Sequence, residues 1–303
     1  MNIRAILGTG ALLALTALAV PAAAAEQRII HKERSLYRNI SVAEMGDERC
    51  MLFRARRGLG RESCMRISDP DHLVFEYAPM MLSSLFLNPQ PPARILIIGQ
   101  GGGTLPMALQ KMAPQAAIDV VEIDPAVDRI ARRYFGFVPG PKTKVYIEDG
   151  RVFVKRAQRQ GQKYDLVMLD AFEADYIPEH LLTQEYLQEV KSIMGPNAAL
   201  ASNTFSSSAL YDHESTTYAS VFGTFFNLKL GNRIILTRLG TLPNAQEIRT
   251  NAAAYDAAFR RRGGDPTYIF TLMSTGADWN RTARILTDQY SPSNVLNTMP
   301  RGN

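Results

Sequence analysis

Residues 94–105 read RILIIGQGGGTL. The run Ile95–Ile98 is apolar at every position, as a central strand buried on both faces of a parallel sheet is. It turns directly into Gly99, Gly101, Gly102 and Gly103, and a helix-like stretch, TLPMALQKMA, starts at Thr104. A buried strand that turns through glycines into a helix opens the ligand-binding half of a doubly wound α/β fold.

The same alternation repeats toward the C-terminus. AIDVVEID precedes PAVDRIARRYF, KVYIED precedes GRVFVKRAQRQ, and YDLVMLD precedes a helical EYLQEVKSIM and a further strand AALASNTF. Repeated strand–helix units predict a Rossmann-like, mostly parallel sheet. The stretch FFNLKLGNRIILTRL reads as two strands around a short turn at Gly231 and Asn232, an antiparallel hairpin at the sheet edge. The tail from Asn244 holds two helical stretches separated by RRRGGDPT. Ahead of the first strand, LYRNISVAEM, RCMLFRAR, SCMRIS and HLVFEY alternate with period two and predict a small antiparallel β-domain over residues 26–78. A helix in APMMLSSLFLN and a Pro-rich break, PQPPA, lead into the domain expected over 79–303.

Residues 1–25 have a different character. MNIR carries one positive charge, AILGTGALLALTALAV is apolar but short for a span of ~20 residues, and small residues end at Ala23–Ala25. This is the layout of a secretory signal peptide, cleaved after Ala25, and it predicts an exported, periplasmic protein with no membrane span after cleavage; the alternative reading is an uncleaved anchor. Cys50 and Cys64 flank a glycine-containing turn. They read either as a cross-strand disulfide in an oxidising compartment or as two unpaired small hydrophobes.

The glycine loop meets neither phosphate-binding pattern. Gly99 and Gly101 fit G-x-G-x-x-G, but its third glycine falls on Thr104, and G-x-x-x-x-G-K-[ST] is absent. Gly99, Gly101 and Gly103 instead let the backbone approach a ligand closely. Glu122 ends the second strand roughly 20 residues further on, where an acid accepts hydrogen bonds from ribose hydroxyls. Asp149, before Gly150, ends the third strand and is placed to accept from the exocyclic amine of a base. A bare loop with acids at successive strand ends suits adenosine carrying a sulfonium amino acid. The bland alternative is that Glu122 and Asp124 only cap the following helix.

These motifs resemble the spermidine synthase family, the polyamine aminopropyltransferases. ILIIGQGGG is similar to its glycine loop, VEIDP to its ribose-binding strand, EDG to its adenine-side acid, and YDLVMLDAF to the strand that delivers its catalytic aspartate. The resemblance implies decarboxylated S-adenosylmethionine or S-adenosylmethionine as cosubstrate, with no permanently bound cofactor. Its further implications are Asp170 as base, a small-molecule polyamine or other amine as acceptor, and a homodimer. Gly99, Gly101, Gly103, Glu122, Asp124, Asp149 and Gly150 would surround the nucleoside; Glu76, Tyr77, Glu173 and Asp175 would meet the amine. The likeness is looser on the amine side. The family carries Asp where Gly102 stands, a His-Glu pair where Glu76 and Tyr77 stand, and Asp and Pro where Glu173 and Ala174 stand.

An amine acceptor is an ammonium at neutral pH, because alkyl amines titrate near ~10. A carboxylate such as Asp170 can position it and take its proton, with Glu173, Asp175 and Glu179 adding local negative charge. Methyl transfer from S-adenosylmethionine and binding without catalysis are the rival readings. His31, His72, His180 and His213 lack metal-ligand spacing, so no metal site is expected; His180 either lines the pocket or starts a helix near solvent. A net charge of +5 and basic clusters without interleaved aromatics do not argue for nucleic acid. The triplet Ser206–Ser208, near Asp212 and His213, reads as a loop, because a nucleophile elbow needs G-x-S-x-G.

Overall fold

A computed structural model of the chain describes residues 27–55, 58–171, 176–204 and 207–301. The expected leader, Glu173, Ala174 and Asp175 lie outside the described residues.

Four antiparallel strands, β1 (Arg28–Arg34), β2 (Asn39–Met45), β3 (Glu48–Ala55) and β4 (Gly58–Arg66), form a sheet in sequence order. Cys50 and Cys64 are direct cross-strand partners, with Cα atoms 4.1 Å apart, and are joined by a disulfide. The expected strand over HLVFEY is not one. Leu73 makes a single bridge to Met65, and the chain then turns into helix α1 (Tyr77–Leu82). The reason is packing: Leu73, Ala78, Met80 and Met81 are buried in the core of the larger sheet rather than on the small one.

That larger sheet has seven strands in the order β10-β11-β9-β8-β5-β6-β7. They are β5 (Arg94–Ile98), β6 (Ala117–Glu122), β7 (Thr143–Ile147), β8 (Tyr164–Leu169), β9 (Met194–Thr204), β10 (Phe226–Leu230) and β11 (Asn232–Arg238). β5 to β9 are parallel neighbours, while β11 runs antiparallel to both β9 and β10. The Rossmann-like class and the edge hairpin are as the residue pattern predicts. Alternation within single strands builds both cores. Ile95 and Ile97 join the layer with α1 and α2 (Thr104–Met112). Leu96 and Ile98 face α4 (Gly150–Arg159), α5 (Gln184–Ser192) and α6 (Leu210–Phe222). Helix α3 (Pro125–Tyr134) buries Ala126, Val127 and Ile130 against Ile40, Val42, Met51 and Phe53, which docks the small sheet on the large domain.

Helix α6 has no counterpart among the expected elements. Its buried side includes Glu214, Ser215 and Thr217 beside Tyr211 and Tyr218, so no apolar stripe marks it. Glu214 pairs there with Arg233 at 3.6 Å, both side chains fully buried. In the tail, α7 (Ala245–Ala253), α8 (Asp256–Arg260) and α9 (Pro266–Leu272) break around RRRGGDPT as expected, and α10 (Ser293–Thr298) is an additional short helix. Among the described residues, no helix is long and apolar enough to cross a membrane.

Candidate active site

The strand order reverses between β5 and β8, and the loop after β5 lies at that switch point, where open α/β sheets bind ligands. A cavity of about 710 Å³ occupies this place, walled by both sheets. Gly99 has φ +97°, and a Cβ on it would stand 2.2 Å from the carbonyl oxygen of Asp170. Only glycine lets these two strand ends approach so closely. Gly99, Gln100 and Gly101 line the cavity. Gly103 does not: its missing side chain makes room for the Phe137 ring, 2.8 Å from where a Cβ would lie. Gly102 likewise faces Ser63 Oγ and Phe135.

Glu122 reaches the cavity wall and is 8% exposed. Its carboxylate accepts from the backbone N–H groups of Gln100 (3.1 Å) and Asp124 (2.9 Å). Burial pushes its pKa up; the two N–H groups and the Arg38 guanidinium oppose that rise. Asp124, expected beside the nucleoside, is absent from the cavity wall. It is fully buried, caps α3 through Ala126 N (2.9 Å) and accepts from Ser35 Oγ (2.6 Å). The capping alternative is therefore right for Asp124, and Glu122 remains at the cavity.

Asp149 does two things at once. Its Oδ1 caps α4 by accepting from the N–H groups of Arg151 (2.9 Å) and Val152 (3.0 Å), and its Oδ2 meets His180 Nε2 at 2.8 Å. His180 therefore lines the pocket in company with an acid. Gly150 also lines it, and a Cβ there would come within 2.5 Å of Ile98 Cγ2.

Asp170 follows β8, held by its N–H to the Ile98 carbonyl at 2.8 Å. Asn203 Nδ2 donates to its Oδ1 at 2.9 Å, and the Tyr77 hydroxyl donates to its Oδ2 at 3.2 Å. Burial pushes its pKa up to about 6 despite these two donors. Burial, and then the charge of Asp170, keep the Tyr77 phenol protonated, so it acts as a donor. Asn203 is itself oriented by Asn232 Nδ2, which donates to Asn203 Oδ1 at 3.0 Å from the start of β11.

Two expected amine-side acids are elsewhere. Glu76 is exposed at the start of α1 and does not line the cavity. Glu179 accepts from the backbone N and Nδ2 of Asn294, which ties the segment after β8 to α10. Residues not singled out from the sequence also line the cavity: Tyr37 and Arg38 from the turn after β1, and Glu62 and Ser63 from β4. Their stretches carry no ligand motif; the β1–β2 turn and the pairing of β4 bring them to the cavity.

Residues 75–230 match the family model for the spermine/spermidine synthase domain. The chain belongs to the spermine/spermidine synthase family. It is 46% identical over 288 residues to a polyamine aminopropyltransferase of Vibrio vulnificus, covering 93% of this chain and 96% of that one. It is 28% identical over 228 residues to the human eEF1A lysine and N-terminal methyltransferase, spanning 68% of this chain but 33% of the relative. Among solved structures, a probable spermidine synthase from Corynebacterium glutamicum superposes with a TM-score of 0.61 over 82% of this chain and 96% of that chain; at 18% identity it supports the fold alone.

Proposed function

We propose that the protein transfers an aminopropyl group from decarboxylated S-adenosylmethionine to a primary amine of the polyamine class. The observation that carries this reading is the Asp170 carboxylate, held between Tyr77 and Asn203 in the cavity that Glu122 also lines. Glu122 accepts from the ribose hydroxyls. Gly99 and Gly101 leave room for the sulfonium-bearing chain. Asp149 with His180 borders the base.

In the reaction, the acceptor ammonium gives a proton to Asp170. The freed nitrogen lone pair forms a bond to the methylene carbon beside the sulfonium. The carbon–sulfur bond breaks, its electron pair stays on sulfur, and a neutral thioether leaves. A carboxylate with a pKa near 6 is mostly ionised at neutral pH yet basic enough to take part in that proton transfer. The cross-strand disulfide supports an oxidising compartment for the protein.

Methyl transfer is a second reading, favoured by the likeness to the human methyltransferase. Mass spectrometry of products formed with each cosubstrate and an α,ω-diamine separates the two. Aminopropyl transfer predicts a propylamine adduct from the decarboxylated cosubstrate only. A methylated amine from S-adenosylmethionine, with no propylamine adduct, overturns the proposal.

A further inference from the structure

One wall of the cavity is made by the segment that follows β8, through Tyr176, Pro178, His180 and Leu181. Its backbone is held from outside the sheet. The Asn294 side chain on α10 accepts from the Ile177 N–H at 2.9 Å and donates back to the Ile177 carbonyl at 3.0 Å. Two residues of paired strands exchange bonds in this way; here one side-chain amide does it. The same Nδ2 donates to Glu179 Oε1 at 3.1 Å, and the Asn294 N–H reaches that oxygen at 3.2 Å. Only one orientation of the amide satisfies all of these partners. Ser291 Oγ adds a bond to the Glu179 carbonyl at 3.1 Å.

Burial adds to this hold. Ile177 is fully buried beside Leu182, Leu210 and Leu286, and Tyr290 and Leu296 pack against them. Three residues beyond Ile177 the chain presents His180, whose Nε2 meets Asp149 Oδ2 at 2.8 Å. Nearly half of the imidazole, 46%, is exposed, so its place depends on the backbone that carries it. That backbone has a second anchor. Arg151 Nη1 donates to the His180 carbonyl at 3.3 Å and to Asp288 Oδ1 at 2.6 Å. The tail residues that make these contacts lie beyond the stretch 75–230 that matches the family model.

We propose that Asn294 is the positioning residue for His180: it fixes the backbone of residues 177–180, and so sets the His180–Asp149 pair against the base of the nucleoside. This rests on the nucleoside reading of the cavity, and it adds to that reading a residue of the C-terminal tail. Asn294 does not line the cavity, so it acts through the segment it holds. Asp170 is held independently, by the Ile98 carbonyl and Asn203. Loss of the Asn294 amide therefore weakens nucleoside binding and leaves the chemical step in place.

The test is a double-mutant cycle on the full protein. Wild type, Asn294→Ala, His180→Ala and the double variant are titrated calorimetrically with methylthioadenosine, the thioether that the proposed reaction releases. Each single change is expected to weaken binding about tenfold, the size of one lost polar contact. The double variant should also lose about tenfold rather than about a hundredfold, because a residue that acts through another is not additive with it. In turnover, Asn294→Ala should raise the cosubstrate KM and keep kcat within about twofold. Hydrogen exchange in Asn294→Ala should quicken over residues 177–182 while β5 and β8 keep their protection. Additive losses, or no loss in either single variant, overturn the proposal. Quicker exchange throughout the fold, or equal falls in kcat and affinity, mark Asn294 as structural and overturn it too. The reading of the reaction fails separately. If wild type binds the nucleoside and forms no aminopropyl product, the transferase reading falls and the cycle still decides the role of Asn294. A wild type that binds no adenosine nucleoside removes both.

Discussion

Replacing Asp170 by Asn tests the assignment of the base through stability as well as activity. The carboxyl titrates at about 6 in the fold against 3.8 in an exposed chain. The folded state therefore disfavours the charged form. Below about pH 4 the acid is protonated in both states and no penalty exists. As pH rises past 6 the penalty becomes complete, and the difference corresponds to about 3 kcal/mol. Asp170→Asn cannot ionise, so it escapes the penalty. Relative to wild type it should gain stability steadily between about pH 4 and pH 7, and hold a gain of up to about 3 kcal/mol above that. Rearranged donors at Asn203 and Tyr77 reduce this gain. Urea unfolding of both proteins across that range measures it. The same substitution should lower kcat by about 10² to 10⁴ while cosubstrate affinity is kept. Wild-type kcat/KM should fall as pH drops below about 6, far from amine ionisation near ~10. A stability difference that does not change with pH, or an activity profile flat through pH 6, would refute the idea of a desolvated carboxylate acting as base.

Three further outcomes follow from the same geometry. Glu122→Gln should weaken cosubstrate binding by about tenfold to a hundredfold with little change in acceptor KM; equal cosubstrate affinity in calorimetry would remove Glu122 from the nucleoside site. Gly99→Ala places a Cβ 2.2 Å from the Asp170 carbonyl at φ +97° and should cost about 3 kcal/mol or more, read as a large drop in Tm or loss of soluble protein. Reducing the Cys50–Cys64 bond, which closes a loop of separation 14, should cost about 3 kcal/mol, and melting curves that coincide with and without reductant would contradict its stabilising role.

The residues expected around a nucleoside come together in the structure because their geometry is local. Gly99, Glu122 and Asp170 end a strand of the large sheet or directly follow one, Asp149 stands two residues beyond β7, and parallel register alone carries them to one edge. Where reading by strand end went wrong, the cause is also local. Asp124 is two residues beyond Glu122, followed by Pro125 at the first helical position, and an acid in that place is the natural cap of α3. Gly103 begins α2 and makes room for Phe137, so its freedom serves packing rather than the cavity. Helix α6 was hidden for a different reason. Its buried face is polar, and an amphipathic pattern cannot reveal a helix whose hidden side carries Glu214 against a buried Arg233.

The contacts around Asp170 could not be read from spacing, because they are distant in sequence; Tyr77 and Asp170 are expected only from the family resemblance, and Asn203 not at all. Tyr77 and Asp170 are joined by a hydrogen bond across 93 positions, and Asn203 reaches Asp170 across 33. No spacing rule links such residues before the sheet is assembled. Glu62 shows the limit most clearly. Strict alternation from Cys64, which faces Cys50, fixes the side on which each neighbour should lie. A one-residue skip in pairing then puts an acid on the cavity wall, while Glu76, the acid the sequence pointed to, stays in solvent. The large-sheet side of the cavity therefore follows from where strands end, and the small-sheet side from how that sheet is paired and docked through α3.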